Sequence, residues 1–166
     1  MAREVMSDMR RVPGLSSWLF LGTLVWIGCG EGGSSRLPPS GFKAEFGKHN
    51  LPTEMVANQT LSVEVTVRNV SPNTWPSKPN PRGMNAVHLS YHWLDRKRQP
   101  VVYDGLRTQL PGDLKPGESV TLKVAIRSPD KPGEYVLQMT LVQEGVAWFS
   151  DQGGGQISLP VSVVKQ

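Results

Sequence analysis

Leu61-Ser62-Val63-Glu64-Val65-Thr66-Val67-Arg68 alternates apolar and polar side chains at every step. A period of two is the signature of a strand that buries one face and wets the other. The same alternation recurs outward along the chain. It appears in Val87, Leu89, Tyr91 and Trp93, set between His88, Ser90 and His92. It appears again in Val120, Leu122, Val124 and Ile126, in Tyr135, Leu137, Met139 and Leu141, and in Ile157, Leu159, Val161 and Val163. Shorter candidates lie at 42–46 and 101–104. Turn chemistry separates the runs: residues 69–81 hold four prolines, Pro116-Gly117 and Pro132-Gly133 follow charged residues, and 153–155 are three glycines. No helical period is sustained beyond the first 28 residues. The pattern predicts an all-β antiparallel sandwich of about seven to nine strands over residues 42–166. Pro160 lies inside the last run, where a missing N–H points to an edge position or a bulge.

The chain has 166 residues and a formal net charge of +4. Its cations are scattered. The cluster Arg96-Lys97-Arg98 reads as a solvated hairpin tip, and no basic stripe interleaved with aromatics supports nucleic-acid binding. One cysteine, Cys29, cannot form an intrachain disulfide. His88 and His92 have a metal-like spacing, but on a strand they lie about 13 Å apart, too far to share a zinc ion. No nucleophile elbow, phosphate loop or calcium loop occurs. The expectation is a protein without catalytic residues, metal or cofactor.

The N-terminus is different. Arg10-Arg11 precede an apolar run from Leu15 to Gly28, and Cys29 follows directly. A basic region, a short apolar core and a small residue at the cut site make a secretory signal over residues 1–28. Ile27-Gly28-Cys29 resembles the lipobox of bacterial lipoproteins. The resemblance implies that Cys29 becomes the mature N-terminus and carries acyl chains such as palmitate. It further implies a membrane-anchored lipoprotein of the cell envelope, facing the periplasm or on the outer membrane. The alternative is an uncleaved N-terminal anchor, for which the run is short. Residues 29–41 then form the lipidated cysteine and a Gly/Ser/Pro-rich tether.

Several phrases in the strand region also carry a likeness. Asn69, Thr74-Trp75-Pro76, Pro116-Gly117-Glu118 and Pro132-Gly133-Glu134-Tyr135 are similar to bacterial Ig-like domains and to the four-tryptophan domain of autophagy receptors. The stretches 88–95, 104–108 and 141–149 resemble Ig-like modules attached to bacterial glycosyltransferases and methyltransferases. These resemblances imply an immunoglobulin-like fold and a non-catalytic module.

Within that fold Trp93 belongs to the core, Tyr135 bonds its hydroxyl to the backbone as a tyrosine corner, and Trp75 plugs one end. Trp148 and Phe149 are adjacent and face opposite ways. Sheet neighbours would bring together His92, Tyr103, Arg107, Gln143, Glu144 and Trp148. Aromatics beside hydrogen-bonding groups suit sugar rings, although a structural ion pair of Arg107 with Glu144 or Asp104 is the reading that stands ahead of that one. The leading expectation is an interaction module for an envelope protein or assembly. The alternative is a glycan-binding module for surface polysaccharide.

Overall fold

The computed structural model describes residues 34–166. They form an all-β, immunoglobulin-like sandwich. The signal, Cys29 and the first part of the tether lie outside the described residues, so the reading of that segment stands as an expectation.

The strands are β1 (Ala44–His49), β2 (Glu54–Val56), β3 (Thr60–Asn69), β4 (Val87–Leu94), β5 (Pro100–Val102), β6 (Thr108–Gln109), β7 (Ser119–Arg127), β8 (Gly133–Gln143), β9 (Ala147–Trp148) and β10 (Ile157–Val164). Each alternating run is a strand. The count among the described residues is ten, above the seven to nine expected. The surplus comes from β2, β6 and β9, which at two or three residues are too short to display a period.

One sheet has the order β1-β3-β7 and the other β2-β10-β8-β4-β5, with β6 on the edge of β4 and β9 on the edge of β8. Pairings are antiparallel except β2 with β10, which is parallel. The inward rows meet between the sheets. Val63, Val65, Val67, Leu122, Val124 and Ile126 come from the first sheet; Leu89, Tyr91, Trp93, Leu137, Met139, Leu141 and Val161 come from the second.

Polar atoms on the large core rings all find partners, as burial demands. Trp93 is fully buried and its Nε1 donates to the Arg127 carbonyl at 2.8 Å. The Tyr91 hydroxyl accepts from Arg127 N at 2.9 Å. Tyr135 donates to the Lys131 carbonyl at 2.9 Å, the back-bond of a tyrosine corner. Trp75 closes one end, donating to Gly41 O at 2.8 Å and meeting Phe149 edge-on at 5.1 Å. Phe149 is fully buried while Trp148 is half-buried, so the two do face opposite ways.

Pro160 shows why a proline is tolerated in β10. Ser162 N–H points outward to the Thr53 carbonyl just before β2. Two residues back, Pro160 aims its nitrogen to the same side. The ladder with β2 covers only Ser162 to Val164, so no acceptor waits there.

The ordered domain begins before residue 42. The segment 34–41, whose composition reads as tether, is a strap laid on the end of the sandwich. Leu37 is buried, and a single turn of 3-10 helix at Pro39–Gly41 leads into β1. Ser34 Oγ donates to the Met84 carbonyl and Asn85 Nδ2 donates to the Ser34 carbonyl.

Candidate functional site

The polar row of β4, namely His88, Ser90 and His92, lies on the outer face of the second sheet. It pairs in register with Val142, Thr140 and Gln138 of β8. That face is not bare. After β5 the chain folds back over β4, and Gly105 N donates to the Tyr91 carbonyl at 3.0 Å. A Cβ on Gly105 would stand 2.5 Å from that carbonyl oxygen, so only glycine allows this approach. The overlay carries Tyr103 and Arg107 onto β4. From the other side, β9 pairs Trp148 with Val142.

The rings converge on His92. Tyr103 stacks on it at 4.7 Å, Trp148 tilts against it at 4.3 Å, and Tyr103 meets Trp148 edge-on at 5.7 Å. The Arg107 guanidinium sits 4.8 Å over the Trp148 ring. It also donates to Glu144 at 2.6 Å, Asp104 at 2.5 Å, Ser90 Oγ at 3.1 Å and Gly105 O at 2.9 Å. His88 Nδ1 lies 2.9 Å from the same Glu144 oxygen. The Tyr103 hydroxyl donates to Asp151 at 3.4 Å.

The structure thus brings together five of the six residues read from the sequence: His92, Tyr103, Arg107, Glu144 and Trp148. Gln143 is corrected. By alternation from Leu141 its side chain points inward, and it is fully buried. There it accepts from Leu37 N and donates to Ser35 O and Asn85 O, each at 2.9 Å.

Charges in the cluster are spent on one another. Burial lowers the His92 pKa from its ordinary 6.5. His92 Nδ1 donates to the Tyr103 carbonyl, which leaves Nε2 as the acceptor of a neutral ring. Burial would push Glu144 up, but its bonds to His88 and Arg107 outweigh that and hold it below its ordinary value. Burial likewise opposes the charge on Arg107, and Glu144 with Asp104 overcomes it. Burial and the Asp151 carboxylate raise the Tyr103 hydroxyl. Among the described residues no group of three or more His, Cys, Asp or Glu side chains is placed to hold a metal ion.

A second concavity was not anticipated. A groove of about 440 Å³ opens between β5 with its following loop and the turn from β7 to β8. Tyr91, Val101, Val102, Leu106 and Tyr135 line it, with Asp104, Arg127, Asp130 and Lys131 at its margins. Val101 and Leu106 are 49% and 44% exposed. The available sequence signal was an apolar Leu106 in a loop and two adjacent valines, one of which must face outward. A smaller pocket of about 210 Å³ lies beside Tyr103, lined by His92, Arg98, Gln138, Asp151 and Gln156 among others.

No protein-family model matches this chain, and no curated protein does. Among solved structures it is similar to the CARDB domain of a Pyrococcus furiosus protein. That likeness has 17% identity and a TM-score of 0.42, covering 75% of this chain and 98% of that one. A β-glucosidase from Listeria innocua matches at 17% identity and a TM-score of 0.43, covering 73% of this chain but 16% of the enzyme. A family 123 glycoside hydrolase from Clostridium perfringens matches at 11% identity and a TM-score of 0.36, covering 68% and 22%. At these identities no activity or ligand is carried over to this chain.

Proposed function

We propose that this domain is a non-catalytic interaction module of the cell envelope, which docks an extended segment of an envelope protein in the groove beside β5. The observation that carries the reading is the open apolar floor formed by Val101, Val102 and Leu106 at a sheet edge. β5 is the terminal strand of its sheet, so among the described residues the edge beyond it is unpaired. Such an edge accepts a partner strand, and neighbouring apolar recesses take that strand's side chains. Acids and bases both rim the groove, which suits a peptide of mixed charge. Position supports the same reading. The chain joins the domain at Ser34, beside the start of β4, and the groove opens toward the other end of that strand. A protein anchored through residues before Ser34 would present the groove away from its anchor.

The test is the double variant Val101→Asp with Leu106→Asp. Both side chains are half-exposed, so stability should stay within about 0.5 kcal/mol of the parent. The complex recovered by chemical crosslinking of intact envelopes should fall sharply. An undiminished complex would overturn the reading.

A second reading, binding of surface polysaccharide, is favoured by the small pocket beside Tyr103. That ring is 50% exposed, and His92, Gln138 and Gln156 offer polar tips near it. Amide shifts clustered at Tyr103, Gln138 and Trp148 on titration with the host's envelope polysaccharide would support it. Their absence at millimolar sugar would remove it.

A further inference from the structure

We infer that the strap end of the sandwich is a membrane-contact surface, which rests on anionic lipid headgroups through Arg36, Lys78 and Arg82. The inference depends on the reading of Cys29 as the membrane anchor. The strap supplies the geometry. It is fixed to the domain from Ser34 onward by Gln143, Asn85 and Trp75. Only the five peptide steps from Cys29 to Ser34 then separate anchor from domain, a reach of at most about 17 Å in a fully extended chain. The end of the sandwich that carries Ser34 is therefore held close to the bilayer.

That end displays cations. Arg36 lies on the strap itself, and Lys78 and Arg82 flank the Asn80 turn, whose Met84 carbonyl accepts from Ser34 Oγ. All three are exposed. Among the described residues none of them forms an ion pair. Among the described residues the acids nearby make their hydrogen bonds to other groups, although Asp113 keeps its negative charge. Asp113, whose field reaches Lys78, accepts from Ser77 N and Ser77 Oγ. Glu144 is taken by His88 and Arg107, and Glu118 accepts from Lys115 N. The tether reaches at most about two Debye lengths of roughly 8 Å at physiological salt, so these basic side chains can come into the range where anionic lipid draws them in.

The denser cluster Arg96-Lys97-Arg98 provides the contrast. It sits at the other end of β4, which is about 23 Å long at 3.3 Å per residue. Bringing that tip to the bilayer requires the domain to turn over on a tether shorter than the strand. Attachment, rather than charge density, selects the strap end.

The experiment uses the full chain in two kinds of vesicle: phosphatidylcholine alone, and phosphatidylcholine with about one-third phosphatidylglycerol. Flotation reports anchoring, and amide hydrogen exchange reports contact. The expected result is flotation with both vesicles and exchange several-fold slower at 34–38 and 78–84 in the anionic vesicles only. The tip at 95–99 should be unchanged. Arg36→Glu with Arg82→Glu should erase the difference while flotation persists. Flotation with both vesicles but equal exchange at 78–84, or protection at 95–99 instead, would overturn the inference alone. A chain that floats with neither vesicle would overturn the anchor reading and this inference with it.

Discussion

The buried side-chain amide of Gln143, at the end of β8, holds the backbone of Leu37 through a 2.9 Å hydrogen bond to its N–H. The two residues are 106 positions apart in the chain. The same amide donates to Ser35 O and Asn85 O, so one glutamine fastens the strap to the start of β4. A polar side chain is tolerated at a fully buried site because three of its hydrogen-bonding positions are filled. This fastening places the first described residues at one end of the sandwich and leaves the groove toward the other.

Replacing Gln143 with Leu keeps the volume near its own but strands Leu37 N, Ser35 O and Asn85 O. Each buried group left unpaired costs about 1–3 kcal/mol, partly recovered where water reaches the strap. The expected loss is about 3 kcal/mol in urea unfolding, with faster amide exchange at 35–37. A change under about 0.5 kcal/mol would mean that the strap is held by Leu37 packing alone.

Trp93→Ala removes the largest side chain of β4 from the space between the sheets and breaks the bond to the Arg127 carbonyl. The expected destabilisation is about 3–5 kcal/mol. A loss near zero would contradict the facing of the whole strand.

Gly105→Ala tests the overlay on β4. The new methyl would meet Tyr91 O at 2.5 Å and the Tyr91 ring at 2.6 Å. The segment must lift, at about 1–3 kcal/mol for the overpacked site. Lifting separates Tyr103 and Arg107 from His92 and Trp148, so amide exchange at 103–107 should quicken. A variant as stable as the parent, with slow exchange there, would mean that the close approach is not required.

Stability should fall in acid in two stages. The His92 pKa is lowered below its ordinary 6.5 by burial. Between 6.5 and that lowered value the unfolded chain binds a proton that the native state does not, so stability declines as pH falls through this window. Glu144 and Asp113 are also depressed in the native state, and their contribution is complete above their ordinary values of 4.5 and 3.8. It is lost as pH falls through their lowered values. His92→Gln should flatten the first stage and leave the second. A parent stability that is flat immediately below 6.5 would contradict the burial of a neutral His92.

Much of the fold was legible because period two needs only neighbours in sequence. Val63 to Val67, Leu122 to Ile126 and Leu137 to Leu141 each repeat it over several residues, and Trp93 inherited its facing from Val87 and Leu89. What stayed hidden depends on distant partners. The strap reads as tether because its Gly, Ser and Pro carry no pattern, and its docking is decided by Gln143 and Trp75. β2 and β9 are strands only because β10 and β8 lie beside them. The aromatic cluster follows the strand neighbours that the immunoglobulin-like resemblance implies: alternation sets which residues of β4 and β8 face outward, and the resemblance sets which strands lie beside them. Gln143 points inward because the parity set by Leu141 outweighs its polar type. The groove was missed because it is bounded by two turns that no local pattern brings together.

The most direct test is photocrosslinking in the intact envelope from a probe at Leu106, with a probe at Thr66 on the opposite sheet as control. The expected result is a discrete protein adduct from Leu106 that Val101→Asp abolishes, and none from Thr66. Equal labelling from both positions, or none from Leu106, would contradict the groove as the surface through which this domain works.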